Sequence, residues 1–173
     1  WLITQFSEVR LSEGYLKDCI IREVRPSIRW TPNLMHNLIK NCTITFNDLV
    51  AASFDNYILD FWSEFTTPLE KEQGYAKMCL ASCEADETLP SRTGNLPLPS
   101  FFSRDSGVAL PTAALPYNHM QINFEFRDWK ELLIVEEVSL ANGSSTFPQA
   151  REDMFVTIPT ISKCEVWANY SIV

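Results

Sequence analysis

Between residues 122 and 127 the chain alternates strictly. Ile122, Phe124 and Phe126 fall on one parity, and Asn123, Glu125 and Arg127 on the other. Successive side chains of a strand point to opposite faces, so this run predicts a half-buried β-strand whose three apolar residues turn toward a sandwich core. The approach to it is apolar and proline-rich, with Leu96-Pro97-Leu98-Pro99, Phe101-Phe102 and the segment Leu110 to Pro116. Inside that approach sits a polar knot, Ser103-Arg104-Asp105-Ser106-Gly107, which predicts a hydrogen-bonded turn: Asp105 and Ser106 as caps, Gly107 with a positive φ, and Arg104 paired with a carboxylate.

Other segments carry the same kind of signal. Trp1 to Phe6 is apolar and β-compatible. Cys42, Ile44 and Phe46 alternate with Thr43 and Thr45, Asn47-Asp48 reads as a tight turn, and Leu49 to Phe54 reads as the second arm of a hairpin. Leu132 to Val138 is a further strand, Ala141 to Ser145 a loop tip, and Phe155 to Ile158 a short apolar segment. Ser162 to Val173 reads as the last strand, with Cys164, Val166, Ala168 and Tyr170 on one side. Brief helices interrupt the pattern. Thr31-Pro32 predicts a helix start, with Leu34, Met35, Leu38 and Ile39 as its apolar face. Tyr57, Phe61, Trp62 and Phe65 lie at i, i+4, i+5 and i+8, which predicts a helix over Asn56 to Phe65 with an aromatic face in the core. Thr67-Pro68-Leu69-Glu70 has the spacing of a capping box, with Pro68 at the first helical position. Ser7 to Pro26 reads as a long connection with turn signals at Ser12-Glu13-Gly14 and Arg25-Pro26. Within it, Tyr15 to Val24 stays open between a short strand and a turn of helix. Cys79 to Gly94 reads as a polar surface loop. Trp30, Trp62 and Trp129 are expected to anchor helices or loops on the core.

With 173 residues the chain suffices for one domain. Short strands, unequal loops and inserted helices predict a mainly β fold, a jelly-roll β-sandwich. The Cys–Trp–Cys landmark of an immunoglobulin-type sandwich is missing.

Charge and chemistry narrow the function classes. A net charge of −8 with scattered basic residues disfavours nucleic-acid binding, which draws its affinity from Lys and Arg. Five cysteines without regular spacing argue against a disulfide framework and for a reducing compartment. Two of the three glycosylation sequons, at Asn41 and Asn169, fall in strand-like segments; the third is at Asn142. No apolar run of about 18 residues, the length of a membrane-spanning helix, is present. The residues with catalytic or ligand chemistry do not assemble into a motif. His36 and His119 lack metal-ligand spacing and read as hydrogen-bonded or half-exposed histidines. Cys79 and Cys83 lack the second pair that a zinc site needs. Glu136 with Glu137, or Asp60 with Glu64, could be imagined as a glycosidase pair, but Asp60 and Glu64 lie at the helical i, i+4 spacing that marks a solvated face. A hydrolase would need Ser103 or Ser106 within reach of His119, and no nucleophile-elbow motif places them so. The residues therefore give no catalytic, cofactor or metal site. They point to a module that works through its surface, either a structural protein or a carbohydrate- or receptor-binding jelly roll.

Three blocks go further. Ile28 to Ile39 with Thr45 to Val50, the aromatic-rich helix Tyr57 to Pro68, and Phe101 to Asn118 with Phe126-Arg127-Asp128-Trp129 resemble the major capsid proteins of iridoviruses and ascoviruses, among the large nucleocytoplasmic DNA viruses. The resemblance implies a double jelly roll, with three copies forming a pseudo-hexagonal capsomer and capsomers tiling an icosahedral shell outside an internal membrane. It implies that residues 1–173 are most of the first jelly roll, without its earliest strands and without the second jelly roll. The chain opens on Trp1 and closes at Val173 inside strand-like runs, and so reads as an internal fragment. The implied partners are further copies of itself as a homotrimer, neighbouring capsomers and minor capsid proteins beneath the shell, with no direct nucleic-acid contact. The implied location is the virion capsid, assembled in the host cytoplasm.

Overall fold

A computed structural model describes residues 1–115 and 119–170. The expected ends of two segments, Pro116 to Asn118 of the proline-rich approach and Ser171 to Val173 of the last strand, lie outside the described residues.

The strands come in chain order as β1 Leu2–Phe6, β2 Val9–Arg10, β3 Val24–Trp30, β4 Ile39–Phe46, β5 Leu49–Phe54, β6 Thr88–Leu89, β7 Arg92–Leu96, β8 Met120–Phe126, β9 Leu133–Ser139, β10 Ser145–Thr146 and β11 Ile161–Val166. The helices are α1 Glu13–Ile21, α2 Leu34–Leu38, α3 Asn56–Thr66, α4 Leu69–Met78 and α5 Trp129–Leu132. The strands pair antiparallel in the orders β11-β1-β7, β10-β9-β3, β2-β6 and β5-β4-β8. Antiparallel sheets with short inserted helices are the mainly β architecture of a jelly-roll β-sandwich.

One core serves these sheets. Leu2 and Phe6 of β1, Ile28 and Trp30 of β3, Ile39 and Cys42 of β4, Leu96 of β7, and Leu133 and Val135 of β9 all bury into it. Phe6 and Trp30 meet with ring centroids 5.5 Å apart, so the sheet of β1 touches the sheet of β3 directly. Trp129 meets Phe155 edge to face at 5.7 Å. The four apolar residues of α2 and its exit, Leu34, Met35, Leu38 and Ile39, are all buried as their spacing predicts. Asn47 and Asp48 both take positive φ, 47° and 66°, as a two-residue type I′ hairpin turn requires.

The structure corrects several expectations. Arg25-Pro26 is not a turn: both residues lie in β3, the edge strand of its sheet, where a proline's missing N–H is tolerated. Ser12-Glu13-Gly14 is not a turn but opens α1, which carries the open segment as helix to Ile21, with the Ser12 hydroxyl accepting from the Tyr15 N–H. Cys79 to Gly94 is a surface loop only over residues 81–87, because Cys79 and Leu89 are buried, Thr88–Leu89 form β6, and Arg92 to Gly94 begin β7 against β1. α2 starts two residues later than Pro32, after Asn33 at φ 50°. The expected capping box does not form. Thr67 ends α3 and Pro68 itself is the residue before α4. Gly107 lies in a 3₁₀ turn, and Gly143 at φ 68° is the described glycine with positive φ. The last strand ends at Val166, before Ala168 and Tyr170. In β8, Ile122 and Phe124 are half-buried against the core, but Phe126 is 36% exposed. β8 pairs only with β4, and past the register shift at Ile39 the Phe126 ring is left stacked on Phe124 at the sheet's end.

Candidate functional site

The aromatic helix α3 faces the opposite way from its sequence expectation. Tyr57, Phe61 and Phe65 are 75%, 66% and 77% exposed. A one-sided periodicity says that residues share a face, not which face is inward. The inward side here is polar and fixed by hydrogen bonds. Asp55 caps the helix by accepting from the Ile58 N–H at 2.9 Å. Buried Asn56 donates to Asn37 Oδ1 at 3.1 Å and accepts from Arg127 Nη2 at 3.1 Å. Leu59 buries beside it, and Asp60 reaches His36. With these contacts made inward, the rings three to four residues apart on the other side point to solvent. Phe61 and Phe65 stack at 5.9 Å, and Ile58 of the same helix, 46% exposed, extends the apolar surface. Trp62, between the two sides, is half-buried with the Arg104 guanidinium 4.8 Å from its ring centroid. That ring, rather than a carboxylate, is the partner of Arg104 among the described residues.

His36 is 1% exposed, with Nδ1 2.6 Å from Asp60 Oδ1 and Nε2 2.8 Å from Tyr75 Oη. In the neutral imidazole tautomer with the proton on Nδ1, that nitrogen donates to Asp60 and Nε2 accepts the Tyr75 hydroxyl proton. Burial pushes the Tyr75 phenol above its ordinary range, which keeps it a donor. The triad ties α3 and α4 to α2 through hydrogen bonds. The other candidates stay apart as well. The His119 ring pairs with Gln121 at 2.8 Å, while Ser103 donates through its N–H to Ser100 O at 3.0 Å and Ser106 to Asp105 Oδ1 at 2.8 Å. The Ser103 to Gly107 knot is thus a hydrogen-bonded turn. Cys79 is buried with its thiol toward Asn95 O, Cys83 points at Glu84 O, and all five cysteines are free. Among the described residues, no three or more His, Cys, Asp or Glu are grouped to hold a metal ion.

One polar cluster escaped the sequence reading. Glu137, 7% exposed, accepts the Tyr15 hydroxyl at 2.5 Å and both terminal nitrogens of Arg22 at 2.9 Å. The Arg22 hydrogen bonds hold its carboxyl below the usual carboxylate range, against the opposing effect of burial. The cluster lines a cleft of about 780 Å³ between α1 and residues 148–154. The signal was available: Leu133, Val135 and Glu137 share the inward parity of β9, and a charge at such a position needs a partner. Glu136, on the opposite parity, cannot form a pair with it across a substrate.

Among the described residues no helix is long and apolar enough to cross a membrane. Residues 4–172 match the family model described as Major capsid protein N-terminus. The chain is 55% identical over 157 residues to the major capsid protein of Simulium iridescent virus, covering 85% of this chain and 33% of that protein. It is 42% identical over 153 residues to that of Lymphocystis disease virus 1 (isolate Darai), with 85% and 33% covered. Against that of Frog virus 3 (isolate Goorha) it is 34% identical over 185 residues, covering 100% of this chain and 38% of that protein. The chain thus spans about a third of the length of the curated relatives it matches.

Proposed function

Because the chain belongs to the family of major capsid proteins found in the iridescent viruses and their relatives, we propose that it is a structural part of a viral capsid and not an enzyme. Residues 1–173 are the first jelly roll of a two-jelly-roll protein, cut short, with the second jelly roll lying beyond this chain. Three copies of the full protein form a pseudo-hexagonal capsomer, and capsomers tile an icosahedral shell in the virion, assembled in the host cytoplasm. Minor capsid proteins lie beneath the shell, and this domain does not touch the genome. The observation that carries the reading is the family match from residue 4 to residue 172, across every sheet described. The surface fits it: Tyr57, Phe61 and Phe65 stand exposed together on α3, as rings at an association surface do. The acidic charge of −8 fits a shell that meets neighbours rather than DNA. Expression of the full-length protein followed by electron microscopy tests it. Hexagonal capsomers or shells are expected, and a monodisperse monomer would count against the reading.

A further inference from the structure

We propose that the outward face of α3, with Tyr57, Phe61 and Phe65 at its centre, is a contact surface for a second copy of this chain. The inference rests on the capsid reading and names one of its interfaces. The face is not a core face left bare by chance. Its helix is capped by Asp55 and held from behind by Asn56, Leu59 and the Asp60–His36 contact, so the three rings stand out on a fixed platform. Fixed, exposed aromatics are what association surfaces select, because they offer large contact areas with little side-chain entropy to lose.

The area identifies the kind of occupant. Aromatic side chains carry roughly 150–250 Å² each. At two thirds to three quarters exposed, the three rings offer on the order of 400 Å², and Ile58, 46% exposed on the same helix, brings the face to roughly 500 Å². A standard interface buries about 800 Å² per partner, and in homo-oligomers about 65% of it is apolar, or roughly 500 Å². The face therefore matches the apolar share of one subunit contact, and a shell built from one protein supplies that partner as another copy.

The test uses the full-length protein. In the variant Phe61→Ser/Phe65→Ser, both changed rings are solvent-exposed, so the thermal midpoint should stay close to that of the parent. The concentration for half-association, measured by sedimentation velocity, should rise at least roughly tenfold. The variant Ile20→Ser/Ile21→Ser, at another exposed apolar site on α1, should associate as the parent does. A second measurement does not depend on the serine variant folding. Phe61→Cys, treated with a bifunctional maleimide and mapped by mass spectrometry with isotope-mixed subunits, should bridge to a second copy. If the parent assembles and the serine variant assembles at the same concentration, or if the bridge runs only to another part of the same polypeptide or to a different protein, the α3 assignment is overturned while the capsid reading stands. If the parent itself stays monomeric, both fall.

Discussion

Glu137 is a buried carboxylate whose ionisation contributes to the stability of the fold. It sits on the inward parity of β9 and remains charged because Arg22 grips it with two hydrogen bonds and Tyr15 with a third. Its folded pKa lies below the usual carboxylate range, so the folded state binds fewer protons than the unfolded one in that range. The stabilisation is therefore complete above the ordinary glutamate pKa of about 4.3 and is lost as pH falls through the depressed folded value. Glu137→Gln keeps the shape and removes the charge. We expect it to cost about 1–2 kcal/mol at pH 7, at the low end for a buried charge because the Arg22 side chain is 48% exposed and screened by solvent. Urea denaturation of parent and variant at neutral and acid pH would check this. The gap should close as the pH drops below about 4; a gap independent of pH would show that the lost charge is not what matters. Tyr15 adds a boundary on the other side. Burial and the Glu137 contact raise its phenol, so the hydroxyl stays a donor throughout the neutral range.

Three of the helices inserted between the strands are tied together at His36. This side chain of α2, buried in the core, grips α3 through Asp60 and α4 through Tyr75. Replacing it with Leu keeps most of the volume but leaves Asp60 and Tyr75 without their shared partner. That should cost about 1–3 kcal/mol. Native-state hydrogen exchange should show faster opening confined to Asn56–Thr66 and Leu69–Met78, with the β9 and β3 amides unchanged; uniform acceleration through the sheets would mean that the triad supports the whole core instead. The same region shows what sequence could and could not tell. The apolar face of α2 and the Asn47-Asp48 hairpin were legible because periodicity and turn chemistry act locally. The direction of α3 was not, since it is decided by Asn37, Arg127 and His36, all distant in sequence. β7 was hidden for a related reason. Its interior Gly94 weakens any strand signal, yet the glycine is there because Met35 lies against it: a Cβ at that position would meet the Met35 side chain far inside contact distance. Of the candidate site, the inward charge at Glu137 could have been read from strand parity, whereas the exposed aromatic face could not be distinguished from a core face.

Across the whole molecule, two forces act on association in opposite directions. The chain carries a net charge of −8, and the helical segment Asp55 to Thr66 contains Asp55, Asp60 and Glu64 with no Lys or Arg, so two copies that meet through α3 bring like charge together. Two such surfaces repel at long range while their rings attract at contact. Salt separates the two terms. The Debye length falls from about 10 Å at 0.1 M to about 3 Å at 1 M, which removes the repulsion and leaves apolar burial intact. Association of the protein carrying this chain should therefore tighten as sodium chloride is raised from about 0.05 M to about 0.5 M. Sedimentation velocity at matched protein concentration would measure the shift. An interface held mainly by complementary ion pairs would respond in the opposite sense, because screening weakens them along with the repulsion. Weaker association at high salt would thus place the driving contacts among the charged side chains. Tighter association that disappears in the Phe61→Ser/Phe65→Ser variant would place them on the aromatic face of α3.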